Sequence, residues 1–405
     1  MTETDAARQA PRQAHMLAAL KRGVRIAFAA SALALAACQS IVPKGQAPTT
    51  PTAPTRPTGP EVVQGLPTDT ARHRVALLVP TTGPNAGVGQ SIANATTLAL
   101  MDTKTDKVRI TTYDTATGAA AAASRALADG NRLILGPLLA EDARIVGPIA
   151  ARANVPVISF SNDASIAGEG VYAMGYNPAQ SIERVVAFAR EKGLSRFGAL
   201  VPRGVYGERS GNALLRAVEQ AGGTVVSMQT FDRSPASITA AIKKLQASSS
   251  YDALLIADSG RVAIQIAPIV RKNGGASARL LGTELWNADT SLAASPVLRG
   301  AWFASVSDGL YRQLATKYRA RYGTAPFRLS SLGYDSVLLT VRIARDWRPG
   351  TPFPVARLRD AGGFSGIDGA FRFGRSGVAE RALEVNEVGA GTFSIVDPAP
   401  RGFGE

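Results

Sequence analysis

The chain of 405 residues has one cysteine, Cys38, and two histidines, His15 and His73. A Ser-His-Asp triad, a Cys-His dyad or a His/Cys zinc site needs residues that are missing here. His15 precedes an apolar segment, and His73 sits just ahead of the first strand. A single cysteine cannot close a disulfide within the chain. The apolar run at 26–37 is about a dozen residues, too short to span a bilayer. No basic run or aromatic-basic interleaving occurs, so nucleic acid is not an expected partner. The glycine-rich stretch near residue 85 is neither a Walker loop nor GxGxxG, which argues against phosphate binding. Only carboxylate or lysine chemistry remains, and nothing marks it. An enzyme, a cofactor and a metal are therefore not expected.

What is present is charge and apolar content in moderate amounts. The formal net charge is +14 and apolar residues make up 45%. In the first 37 residues five cations face two anions, so most of the excess lies in the remainder. That balance favours acidic surroundings, such as anionic lipid or a cell-wall polymer. The length suits two domains with real cores.

The central stretch is LILGPLLAEDARIVGPIARANVPVISFSN, residues 133–162. A short apolar run at 133–135 reads as a buried strand, broken by Gly136-Pro137. Ile145, Val146 and Ile149 share one face of a following helix. A second apolar run at 155–160 should be parallel to the first, because the helical crossover carries the chain back. Ligands gather at the carboxyl ends of such strands, here 136–140 and 159–162. The same alternation runs on both sides. Strands are expected at 74–79, 108–113, 197–201, 224–231, 251–257 and 280–284. Helices are expected at 91–101, 116–129, 178–192, 210–221, 237–247 and 261–272. A run at 302–306 is followed by helices at 310–322 and 331–347. The end, 364–396, alternates between glycines and reads as antiparallel edge strands. The class is α/β, with doubly wound parallel sheets.

The N-terminus reads as an address. Lys21, Arg22 and Arg25 precede the apolar run, which leads into Leu35-Ala36-Ala37-Cys38. This resembles the lipobox of bacterial lipoproteins, and implies a signal peptide over 1–37 and lipidation of Cys38. Met16 would give a tidier start. Gln39 after the cysteine implies sorting to the outer membrane. Residues 38–71 are rich in proline and threonine. At ~3 Å per residue they form a disordered tether of about 90 Å at full stretch.

VALLVPTTGPNAGVGQSIANATTLAL, the 133–162 stretch, VYGERSGNALLRAVEQAGGTVV and LSSLGYDSVLLTVRIARDW together resemble the type I periplasmic binding proteins of the leucine-binding kind. The resemblance implies two α/β lobes joined by three crossovers, with ligand between them. It assigns 72–172 plus 304–347 to the N-terminal lobe and 173–303 plus 348–400 to the C-terminal lobe. Two branches share this fold. LLVPTTGPNAGVGQSI, LGPLLAEDA and FSGIDGAFRFGRSGVAER are closer to the penicillin-binding protein activators, whose partner is a peptidoglycan synthase. The alternative is a lipoprotein that captures amino acids or another small polar solute for an ABC permease.

The same resemblance places ligand contacts. Thr81, Thr82 and Asn85 stand in the first turn. Leu138 stands in a loop that lacks the family's hydroxyl, and Pro137 there removes an N–H donor. Ser159, Ser161 and Asn162 form a second hydroxyl loop. Tyr206 stands where an aromatic covers the ligand and Glu284 where a carboxylate meets an ammonium, with Trp286 beside it. Each has a plainer role available: helix capping, loop packing or a surface charge. The activators carry a helical-repeat domain ahead of this fold, and this chain has the tether there.

Overall fold

The computed structural model describes residues 71–248 and 250–403. The expected signal peptide, Cys38 and the tether lie outside the described residues. Strand β1 (His73–Val79) is completely buried from Val75 to Val79. A strand apolar on both faces needs cover on both sides, which parallel sheets provide. β2 (Val108–Asp114), β3 (Leu133–Leu135), β4 (Val157–Ser159) and β5 (Val171–Ala173) complete a parallel sheet in the order β2-β1-β3-β4-β5. The crossovers are α1 (Ala86–Thr103), α2 (Ala119–Ala128) and α3 (Ala140–Arg152). On α2, Ala119, Ala122, Ala123 and Ala126 face the sheet, and α3 adds Ala143, Val146 and Ala150. Helical spacing gives each helix one apolar stripe, and small side chains let α2 sit close.

The second sheet begins after α4 (Pro178–Glu191). Asn177 caps this helix by accepting the Ala179 N–H at 3.0 Å, and Pro178 occupies the first helical position, where its missing N–H costs nothing. Strands β6 (Arg196–Pro202), β7 (Thr224–Phe231), β8 (Ala253–Ile256), β9 (Arg279–Gly282) and β10 (Trp302–Ser305) are parallel. They alternate with α5 (Val205–Gln220), α6 (Pro235–Ser248) and α7 (Gly260–Lys272). The chain then returns to the first lobe as α8 (Gly309–Tyr322) and α9 (Ser330–Ala344), with α9 packed on α1. A small antiparallel sheet follows: β11 (Phe364–Gly366), β12 (Gly369–Phe373) and β13 (Ala379–Arg381). Finally β14 (Glu384–Val388) and β15 (Phe393–Asp397) join the second sheet antiparallel, in the order β15-β14-β10-β9-β8-β6-β7. Among the described residues no helix is long and apolar enough to cross a membrane.

The small sheet corrects the expected lobe boundaries. The expectation groups residues 348–400 with the second lobe. Instead Phe353, Leu358, Phe364, Phe371, Phe373 and Ala379 bury themselves in the core of the first sheet, beside Leu339 and Ile343 of α9. Asp335 of α9 accepts the backbone N–H of Ile367 at 2.7 Å and fastens the β11–β12 turn to the same lobe. Of that stretch, β14 and β15 are the strands that join the second sheet. The last crossover therefore falls between Arg381 and Glu384, and β10 extends the second lobe to Ser305.

The opening turn of each lobe is built alike. A Cβ on Gly89 of α1 would lie 1.9 Å from the Pro80 carbonyl oxygen, and one on Gly207 of α5 would lie 1.6 Å from that of Pro202. Glycine lets each helix fold back tightly over its strand end. Both turns thus stand at the carboxyl edge of their sheets, where ligands gather.

Candidate functional site

The second lobe contributes Tyr206 from α5 and Thr283-Glu284 from the end of β9. The Tyr206 hydroxyl lies 2.9 Å from Thr283 Oγ1 and donates to Glu284 Oε1 at 3.0 Å. Glu284 Oε2 is buried with no hydrogen-bond partner. Burial pushes the Glu284 carboxyl up to about 7, against the lowering pull of its backbone and of Tyr206. Burial, and then the adjacent Glu284 charge, raise the Tyr206 phenol as well, so it stays a donor.

Beside this wall the crossovers converge on a cluster of buried charges. Arg328, just ahead of α9, donates through Nη1 to Asp368 at 2.8 Å, to Ser331 at 2.9 Å and to the Tyr176 hydroxyl at 3.1 Å. Tyr176 donates to Asp368 at 2.5 Å. Burial works against the Arg328 charge, but Asp368, Tyr176 and Asp308 outweigh it and raise its pKa. Asp308 links the lobes: Asn287 of the second donates to it at 3.0 Å, and Arg328 of the first lies 3.2 Å from it. Arg381 lies over the rings of Tyr176 and Phe371, at 5.0 and 5.3 Å.

Tyr176, Glu284, Asn287, Arg328 and Arg381 line one cavity of about 30 Å³, room for one or two waters. The lobes are thus closed on each other. A solute the size of leucine requires them to separate.

The first-lobe candidates are placed elsewhere. Thr81 donates its N–H to Asp114 at 2.9 Å and Thr82 its hydroxyl at 2.6 Å, so Asp114 pins the opening turn. Asn85 starts α1, exposed and without a side-chain cap bond. Leu138 packs half-buried on the first-lobe core. Ser159 is 0% exposed, and its hydroxyl donates to the Pro137 carbonyl at 2.8 Å. Ser161 accepts the Asp163 N–H at 3.1 Å. Asn162 is exposed and lines a separate groove with Asp163, Arg209 and Arg216. Trp286, expected at the cleft, is 0% exposed in the second-lobe core, and its indole N–H donates to the Asp258 carbonyl at 3.0 Å. Gly282 leaves the space for that ring, since a Cβ there would lie 2.1 Å from it.

Of the candidates, Glu284 lines the cavity, and Tyr206 holds it. Arg328, Arg381, Tyr176, Asp368, Asp163 and Arg209 are not among the residues that the sequence pattern marks. Three of them stand in stretches that carry the resemblance: Arg209 in VYGERSG, and Asp368 and Arg381 in FSGIDGAFRFGRSGVAER.

With this geometry in hand, solved structures share the fold. A putative branched-chain amino acid ABC transporter protein of Rhodospirillum rubrum superposes with a TM-score of 0.70 at 20% identity, covering 80% of this chain and 100% of that one. A branched chain amino acid ABC transporter periplasmic ligand-binding protein of Burkholderia xenovorans gives 0.67 at 17% identity, covering 82% and 96%. A solute binding protein of Rhodopseudomonas palustris, in complex with 3,4-dihydroxy benzoic acid, gives 0.63 at 16% identity, covering 82% and 99%. A Rickettsia prowazekii protein described as uncharacterized is 22% identical over 173 residues, which is 42% of this chain and 46% of that protein. The match therefore spans less than half of that relative's length. A family model described as periplasmic binding protein matches residues 73–392, most of the sequence. The chain belongs to the periplasmic binding protein family.

Proposed function

We propose that this chain is a solute-binding protein that closes its lobes on a small polar solute and delivers it to an ABC permease. The observation that carries this is the Tyr206–Glu284 pair. It puts a buried carboxylate, one oxygen of which has no partner, in the wall of a cavity at the junction of the lobes. Such an oxygen is costly unless a donor reaches it, and an ammonium or hydroxyl of a bound solute supplies one. Support also comes from structures that share the fold, one described as a branched chain amino acid ABC transporter periplasmic ligand-binding protein and one as a solute binding protein of an ABC transporter in complex with 3,4-dihydroxy benzoic acid. The lipidated Cys38 and the tether remain part of the proposal, anchoring the lobes to a membrane of the envelope, with Gln39 pointing to the outer one.

The test is a melting-temperature screen of the purified protein against amino acids and aromatic acids. At a hundredfold excess over Kd a true ligand adds about 2.7 kcal/mol of stability, a shift of several degrees. No shift with any of them would exclude solute capture of these classes. Glu284→Gln should reduce the shift for ligands that carry an ammonium. Mass spectrometry of the protein from membranes tests the anchor; a mature chain that is not acylated at Cys38 would refute it.

The regulator of a peptidoglycan synthase, a penicillin-binding protein activator, remains the second reading. One observation favours it: the 136–138 loop offers no hydroxyl, and the nearest one, on Ser159, is spent on Pro137. Co-purification with a synthase, together with an empty solute screen, would select it.

A further inference from the structure

The cavity at the lobe junction holds donors that its own residues leave unused. Arg381 is 8% exposed. Its Nη2 donates to the Met174 carbonyl at 2.6 Å, while Nε and Nη1 are buried with no hydrogen-bond partner. The rings of Tyr176 and Phe371 hold the charge by cation–π attraction. Arg328 lines the same cavity, and its Nε is also buried and unpartnered. Its Nη2 faces Asp308 without the alignment of a hydrogen bond. Buried guanidinium donors stay costly until an acceptor arrives, and charged acceptors satisfy them best. The cavity, about 30 Å³, admits the head of a small solute rather than its whole body.

We propose that Arg381 and Arg328 form a hinge site for the carboxylate of the bound solute, so that the solutes taken are small carboxylic acids. The proposal rests on the solute-capture reading above. It departs from the arrangement that the resemblance implies, in which first-lobe hydroxyls and N–H groups hold the carboxylate. Here that loop carries proline and leucine, and Ser159 is engaged within its own lobe. The location is where the chain crosses between the lobes. Arg381 ends β13, at the last crossover, and its bond to Met174 reaches the first crossover, beyond β5.

The experiment compares each acid with its amide on the purified wild-type protein: acetate with acetamide, leucine with leucinamide, benzoate with benzamide. Titration calorimetry and melting temperature are the readouts. The expected result is at least a tenfold preference for the acid in any pair that binds. Equal affinity for acid and amide overturns the hinge site and leaves solute capture standing. Binding by no member of either series overturns both. In a second arm, Arg381→Met keeps the stem and removes the charge. Affinity for the bound acid should fall at least tenfold, read on variant protein whose cooperative melting shows that it is folded. A folded Arg381→Met protein that binds the acid as wild type does would sink the proposal. Should that variant not fold, the acid–amide comparison on the wild type decides alone.

Discussion

Arg209 reaches across the mouth of the cleft to Asp163. Its Nη2, on α5 of the second lobe, lies 2.6 Å from Oδ2 of Asp163, in the loop after β4 of the first. Asp163 is almost fully buried and is held from its own lobe by Arg144 at 2.5 Å and by the Ser165 N–H at 2.9 Å. Burial pushes the Asp163 carboxyl up, but the Ser165 hydrogen bonds and the Arg209 charge prevail and hold it down at about 2. The anion is thus fixed on one lobe, and the cation that crosses to it comes from the other.

Arg209→Met should therefore shift the lobes toward the open form without unfolding either. Asp163 keeps Arg144 and Ser165, so no buried charge is abandoned. Arg209 is 37% exposed, so the pair is worth only about 1 kcal/mol, roughly a fivefold change in the open-to-closed ratio. Small-angle scattering should show a larger radius of gyration than wild type in the absence of solute. An unchanged radius would mean that the ion pair does not govern closure.

Much of the fold can be read from local pattern. The parallel strands are continuous apolar runs such as 75–79, because both faces are covered. The small sheet is legible as antiparallel strands, but alternation says only that one face is buried, not against what. Its lobe is decided by the contact of Phe364 and Phe371 with the first-sheet core. The hinge cluster is hidden for the same reason. Arg328 meets Tyr176 across 152 positions and Arg381 meets Met174 across 207, and each looks like one more surface cation among 45. The resemblance points to Tyr206 and Glu284, and the structure brings them within hydrogen-bond distance. Trp286 misleads because it follows Glu284 by two positions in a tight turn at Glu284–Ala288. With three residues per turn, those two side chains point different ways.

Trp286 yields a stability prediction rather than a binding one. The ring is fully buried and its N–H satisfies the Asp258 carbonyl. Trp286→Ala should cost about 3–5 kcal/mol, by lost burial plus the cavity left behind. Trp286→Phe should cost less, the missing hydrogen bond contributing about 1–3 kcal/mol. Denaturant midpoints measure both. If Trp286→Phe instead kept its stability and lost solute, the indole would be a ligand contact after all.

Glu284 should make stability depend on pH in a stated direction. Its folded pKa, about 7, lies above the ordinary value of 4.5, so the folded state holds the proton more tightly. Its contribution is complete below pH 4.5 and is lost as pH rises through 7, by no more than about 3 kcal/mol. Asp335, Glu183 and Glu384 are raised too, so the total slope is shared. The informative quantity is the difference between wild type and Glu284→Gln. Urea midpoints from about pH 4.5 to 8 should fall more steeply for wild type, and parallel curves would show that Glu284 titrates normally.

Gly207→Ala sets two backbone effects against each other. Inside a helix, alanine is favoured over glycine by about 1 kcal/mol, so an isolated α5 would gain. In the protein the new methyl would lie 1.6 Å from the Pro202 carbonyl oxygen, a backbone atom that cannot swing aside. The clash must win, and α5 must draw back from the end of β6. Tyr206 and Arg209 flank this position, one holding Glu284 and the other closing on Asp163. The same change should therefore cost about 1–3 kcal/mol of stability and also weaken solute affinity. Gly204, the residue before α5, has φ +102°, but a methyl added there would meet no atom within 4 Å. Gly204→Ala should strain the backbone locally and leave the helix where it is. Equal loss of affinity in the two variants would place the effect in turn conformation, and loss in Gly207→Ala alone would place it in the seating of α5.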